Sequence, residues 1–168
     1  MTPLTDSLTS LGNRQLLEKD LAVYEGQVVR YGLRICIALI HVNDFETFVE
    51  RYGRTAGDRA IVALAERLAN GSRLGDAVYR VDENEFVCLL PEQSLETGAL
   101  AVNRMIHSFE QLEIPHEDSP SGLLTVSAGL VLLDAEHVKP AAELLGDAKA
   151  ALEPDPGAGA APEDGPDA

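Results

Sequence analysis

Hydrophobic and polar positions change period several times along the chain, and each change predicts an element. From Asn13 to about Val29, Leu16, Leu17, Leu21 and Val28 recur at helical spacing and predict an amphipathic helix. Arg34 to Val42 (RICIALIHV) is a continuous apolar, β-branched run, the pattern of a buried central strand. Phe45, Phe48, Val49 and Tyr52 share one face of a short helix, and after Gly53 a second helix from about Ala56 to Leu68 turns Ile61, Leu64, Ala65 and Leu68 inward. Val78–Val81 and Phe86–Leu90 flank an acidic turn and predict a hairpin. Leu95–Leu112 follows as a helix, Leu123–Leu133 as a strand, and Pro140–Leu152 as a helix opened by its proline. The order α-β-α-α-β-β-α-β-α predicts an α+β domain, with an antiparallel or mixed central sheet covered by helices.

Composition narrows this picture. The 168 residues suit one domain able to bury a single core, and 45% hydrophobic with 24% charged residues reads as soluble and globular. Residues 153–168 (EPDPGAGAAPEDGPDA) hold no large apolar group, so the domain is expected to span 1–152 and the rest to be a disordered acidic tail or interdomain linker. The net charge, 13 − 28 = −15, argues against nucleic acid and anionic membrane surfaces as partners, although a local arginine cluster can still hold a phosphate. Cys36 and Cys88 each lie in an apolar run and read as buried thiols of a reducing cytosol. No segment has the length of a membrane span and no secretory signal opens the chain, so the expected location is cytoplasmic, as a free domain or the soluble part of a larger or membrane-anchored protein.

Four segments carry a family resemblance. Asp6-Ser7-Leu8-Thr9-Ser10-Leu11-Gly12-Asn13-Arg14 has the form D-x-L-T-x-L-x-N-R. Ile40 to Asp58 keeps Phe45, Tyr52, Gly53, Gly57 and Asp58 of a strand–helix–turn pattern. Asp82-Glu83-Asn84-Glu85-Phe86 forms the hairpin turn, and Leu124-Thr125-Val126-Ser127-Ala128-Gly129 closes the set. In this order and spacing the chain resembles the GGDEF family of diguanylate cyclase domains, as a degenerate member. The resemblance implies a nucleotide-cyclase, palm-like fold with a ferredoxin-like core, its active site lying along the hairpin and the end of the first long strand.

It also implies that the chemistry is gone. In the family, Mg²⁺ ions are held by carboxylates from that strand and from the third hairpin position. His41 and Asn84 stand there, Asn43 replaces a further aspartate, and only Glu85 survives among the hairpin acids. Mg²⁺ demands anionic oxygen ligands, so no cofactor is expected, with Mg²⁺ entering only if cyclase activity remains. Asp82 and Glu83 replace two glycines and bring negative charge beside a triphosphate. Glu46 reverses a phosphate-binding lysine, and Val49 replaces a base-reading asparagine. Phe45 and Asp58 are what is left of a guanine-nucleotide pocket. The family's C-terminal signature is reduced to Ala148-Lys149-Ala150-Ala151-Leu152, so its late lysine and arginine are missing and only Lys149 offers a rescue. No catalytic residue is expected.

An inhibitory, product-binding signature is retained. The family's R-x-x-D appears as Arg73-Leu74-Gly75-Asp76, with Ala77 to Val81 between it and Asp82, and Arg104 falls where a further arginine completes the site. An arginine fork reads guanine or phosphate bidentately, and an aspartate accepts from the guanine N1–H and amine. The reading is therefore a catalytically inactive domain that binds cyclic di-GMP at Arg73, Asp76 and Arg104. Its alternatives are a residual diguanylate cyclase and a nucleotide-free interaction scaffold. Partners are expected to be cyclic di-GMP and either a second copy or a downstream signalling domain, without nucleic acid or membrane insertion. His41 reads as a hydrogen-bonded residue at a strand end, His107 as helix surface and His116 as loop. Asp82, Glu83 and Glu85 read as a solvated hairpin tip, and Phe45, Phe48 and Tyr52 as core.

Overall fold

A computed structural model describes residues 3–152 of the chain. The expected tail or linker at 153–168 lies outside the described residues. Ten elements follow in order: β1 (Gly12–Asn13), α1 (Arg14–Tyr31), β2 (Ile35–Val42), α2 (Phe45–Tyr52), α3 (Arg54–Asn70), β3 (Ala77–Asp82), β4 (Glu85–Pro91), α4 (Leu95–Glu110), β5 (Val126–Leu133) and α5 (Ala141–Ala150). The strands form one mixed sheet in the order β1-β3-β4-β2-β5, antiparallel throughout except for the parallel pair β1–β3.

β2 runs through the interior, paired on both sides, which explains its uninterrupted apolar sequence. Its alternate residues divide between two cores. Cys36, Ala38, Ile40 and Val42 point toward α2, α3 and α4, where they meet Phe48, Leu64, Val102 and Phe109. Ile35, Ile37 and Leu39 point the other way, against Leu17 and Leu21 of α1 and Leu144 and Leu145 of α5. Both thiols are buried without a disulfide, and burial pushes Cys36 up to about 11 and Cys88 up to about 12.

Local signals set the element ends. The Asn13 side chain accepts from the Leu16 N–H and caps α1, which stops at Gly32 in the left-handed region. Ser94 and Thr97 form a reciprocal capping box that starts α4. Pro140 caps α5 in an extended conformation and does not fill its first helical position. β5 starts at Val126 and not at Leu123, which instead forms a bridge with Pro115. β1 is an addition to the expected order; a two-residue strand has no period to read.

Candidate functional site

The opening motif and the hairpin are one structure. The Thr9 N–H and hydroxyl donate to Asp6 Oδ2 at 2.9 and 2.8 Å, folding the motif into a turn. Arg80 of β3 donates to both Asp6 oxygens at 3.2 and 3.3 Å, and its other terminal nitrogen donates to the Glu83 carbonyl at 2.8 Å. Burial pushes the Asp6 carboxyl up, but the Thr9 hydrogen bonds and the Arg80 guanidinium outweigh it and hold the group below its ordinary value. Asp82 pairs with Glu85 to close the hairpin after a register slip at Val81, and exposed Glu83 is bound by Arg54.

At the mouth of β2 the neutral replacements are already engaged. The Val42 N–H donates to the Asn84 carbonyl at 3.0 Å, and the Asn84 side-chain amide donates back to the Val42 carbonyl at 3.1 Å. The Asn43 amide donates to Thr125 Oγ1 and Ser127 Oγ at 3.1 and 3.0 Å, tying the strand end to β5. Glu85 departs from the expected solvated tip. Strand alternation turns it inward, where it is 5% exposed, while Asp82 and Glu83 stay in solvent. Its Oε2 sits 3.1 Å from His41 Nδ1 and 3.4 Å from Lys149 Nζ.

Lys149 reaches this point because α5 lies directly on the sheet at Gly129, where an added Cβ would fall 2.1 Å from the Ala148 carbonyl oxygen. Mg²⁺ asks for several anionic oxygens. Here the one buried carboxylate is held by an ammonium and an imidazole, and the hairpin residue presents an N–H donor. The residues present do not fit the ion.

The base-reading region is filled as well. Phe45 does not line a nucleotide pocket: it is buried in the core and stacks near Phe48. Val49 packs onto Gly57, leaving Asp58 in a shallow, mainly apolar groove with Leu8, Val62 and Ala63. His116 lies in the loop between α4 and β5, as expected, but is fully buried there. Its Nε2 reaches the Asp44 carbonyl and Thr47 hydroxyl, and its ring packs edge-on against Phe48.

The R-x-x-D segment forms the loop between α3 and β3. The Arg73 N–H donates to Asp76 Oδ2 at 2.8 Å, and the Asp76 N–H donates to the Arg73 carbonyl at 3.0 Å. The Arg73 side chain is 62% exposed, against 4% for that of Asp76, whose Oδ1 has no hydrogen-bond partner among the described residues. With Gly75, Pro91 and Glu92 they line a groove of about 430 Å³, in the size range of small-molecule sites. Arg104 is not brought into it. It lines a separate groove of about 190 Å³ between α3 and α4, with Arg67, Gly71 and Ser108.

A sheet in ferredoxin-like order, helices on both faces and a hairpin turn set against the end of the central strand define a nucleotide-cyclase, palm-like domain. The chain belongs to the GGDEF family: residues 4–159 match the family described as "Diguanylate cyclase, GGDEF domain". Among curated relatives, Diguanylate cyclase DgcP of Pseudomonas aeruginosa is 29% identical over 134 residues, 80% of this chain and 20% of the relative. The chain thus spans about a fifth of that protein's length. Among solved structures, the GGDEF domain of DgcB from Caulobacter crescentus in complex with c-di-GMP superposes with a TM-score of 0.78 at 20% identity, covering 89% of this chain and 88% of that one. A microbial GGDEF domain, solved to show its interaction with bis-(3′,5′)-cyclic di-GMP, is 25% identical with a TM-score of 0.71, covering 89% and 90%. No helix among the described residues is long and apolar enough to cross a membrane.

Proposed function

We propose that this GGDEF domain does not condense GTP and acts as a regulatory module that binds cyclic di-GMP in the Arg73–Asp76 groove. The observation that carries the reading is the contrast in engagement: Asn84 and Glu85 are bound within the chain, whereas the Arg73 fork stands in solvent above a held aspartate. In-line attack on a triphosphate needs cations that neutralise developing charge. The Lys149 ammonium takes the place of such a cation and cannot bridge two phosphates. Arg73 would donate to guanine O6/N7 or to a phosphate, and Asp76 Oδ1 would accept from the guanine N1–H and amine. The microbial GGDEF domain that interacts with cyclic di-GMP supports this ligand class. Arg104 contributes only to a ligand long enough to leave the first groove. The setting is a cytoplasmic signalling protein, in which residues 153–168 link the domain to the element it regulates.

The test is a calorimetric titration with cyclic di-GMP, run beside GTP incubation with Mg²⁺ or Mn²⁺. The expected outcome is heat from the wild type, binding roughly 30-fold weaker in Arg73→Ala, and no cyclic product. Absence of heat from the wild type, or equal binding by the variant, overturns the binding half. Product formation overturns the other.

A further inference from the structure

β5 is the last strand of the sheet, and no described residue pairs with its outer edge. Natural sheets blunt such edges with charged side chains, proline, bulges or a covering segment. β5 has no charged residue, no proline and no break in its ladder with β2 from Val126 to Leu133, so a covering segment is the one protection left to it. Room for one exists. Leu95, Ala99 and Ile106 of α4, with Ala128 and Leu130 of β5, enclose a groove of about 770 Å³ along this edge.

The chain is itself delivered to the place. α5 ends over the middle of β5, where an added Cβ at Gly129 would fall 2.8 Å from the Leu152 nitrogen. Ala151 lines the groove together with Ser127. The residues that follow therefore start beside the open edge.

Their sequence has a period of two. Every even position from 154 to 162 is apolar: Pro154, Pro156, Ala158, Ala160 and Pro162. The odd positions from 153 to 163 hold Glu153, Asp155, Gly157, Gly159, Ala161 and Glu163, which include every acid of that stretch. Along an extended strand, successive side chains turn to opposite faces and successive N–H groups to opposite edges. One face is then apolar and the other acidic. All three prolines of the stretch share one edge, and every odd residue keeps its donor. An outermost strand requires this arrangement, since it accepts proline only where the N–H side faces solvent.

We propose that residues 153–163 are the covering segment of β5. They lie extended beside it, the odd-numbered residues exchange backbone hydrogen bonds with it, and the even-numbered prolines and alanines turn under α4. The inference does not rest on nucleotide binding, and it gives the proposed linker a seat at its start. Two arguments select this occupant over a separate chain. Attachment at the wall of the groove supplies an effective concentration on the order of millimolar without any partner. A second copy, in contrast, brings a further −15 to a domain already at −15.

The test is amide exchange on the full chain at micromolar concentration, read at the β5 amides that are not bonded to β2. Protection is expected, unchanged at tenfold higher concentration. Gly157→Pro and Gly159→Pro each remove a donor facing β5 and are expected to speed exchange there at least about tenfold. Ala158→Pro and Ala160→Pro put the same ring on the solvent side and are expected to leave exchange as in the wild type. The two pairs of variants differ only in parity, so a general effect of proline moves both alike. Exposed edge amides in the wild type, protection that grows with concentration, or an equal response to odd and even prolines each overturns the proposal.

Discussion

The loop before β3 and the turn after it sit at opposite ends of one strand, and they treat their charges differently. In the turn, Arg80 bridges Asp6 and the Glu83 carbonyl, Arg54 holds Glu83, and Glu85 is clasped by His41 and Lys149. In the loop, Arg73 is exposed and Asp76 keeps one oxygen without a partner among the described residues. A cluster whose charges are paired from within has little left to offer a ligand. A charged group held by a long ion pair, as Arg73 is by Asp76 at 4.0 Å, and still open to solvent retains interaction energy for one. On the proposed reading, the two ends of β3 thus separate structural charge from charge available to a ligand.

The comparison breaks most severely at Gly129. Gly129→Ala drives a methyl into the Ala148 carbonyl, lifts α5 from β5 and withdraws Lys149 from Glu85. A loss of about 3 kcal/mol is expected in denaturant melts; unchanged stability would show that α5 is not seated as described. Next, Arg73→Ala should weaken cyclic di-GMP binding by about 2 kcal/mol, roughly 30-fold in calorimetry, with melting unchanged. If stability falls instead, Arg73 belongs with the structural charges.

Asn84→Asp tests the closed end directly, since a carboxylate cannot donate to the Val42 carbonyl. It should cost about 1–2 kcal/mol in thermal melts. Even combined with His41→Asp it should yield no cyclic product from GTP, because Glu46 and Val49 remain. Detectable product would show that metal ligands alone were limiting.

The smallest effect is on acid stability. Asp6 is held below its ordinary value in the folded chain, so its contribution is fully present above the unfolded-state value and is lost as pH falls through the lower folded value. Asp6→Asn should flatten that acid limb in pH-dependent melts while leaving the loop's binding intact. An unaltered limb would remove Asp6 from the pinned turn.

Much of this contrast is legible before folding. The RICIALIHV run announces a strand buried on both faces, and the stripes on α2, α3 and α4 announce the helices that cover one of them. The proximity of Arg73 and Asp76 follows from three-residue spacing in a tight loop, and both line one groove. Other features had no local signal. Glu85 reads as part of an acidic tip because Asp82 and Glu83 are beside it, yet strand alternation turns it alone into the interior. Arg104 falls at a suggestive distance along the chain, but α4 presents it to a groove shared with α3. β1 escapes notice because two residues cannot display a period.

By itself, the sequence determined which segments form strands and helices, which faces they bury, and that the strand-end and hairpin positions His41 and Asn84 carry no carboxylate. These properties arise from near neighbours: backbone propensity, residue period and side-chain chemistry. Tertiary structure alone decided where the remaining charges went. The packing of α5 through Gly129 brings Lys149 to Glu85, and the pairing of β2 with β4 brings in His41. The physical reason is reach. Long side chains choose partners by distance and burial in the folded molecule, and neither quantity exists until distant segments have packed.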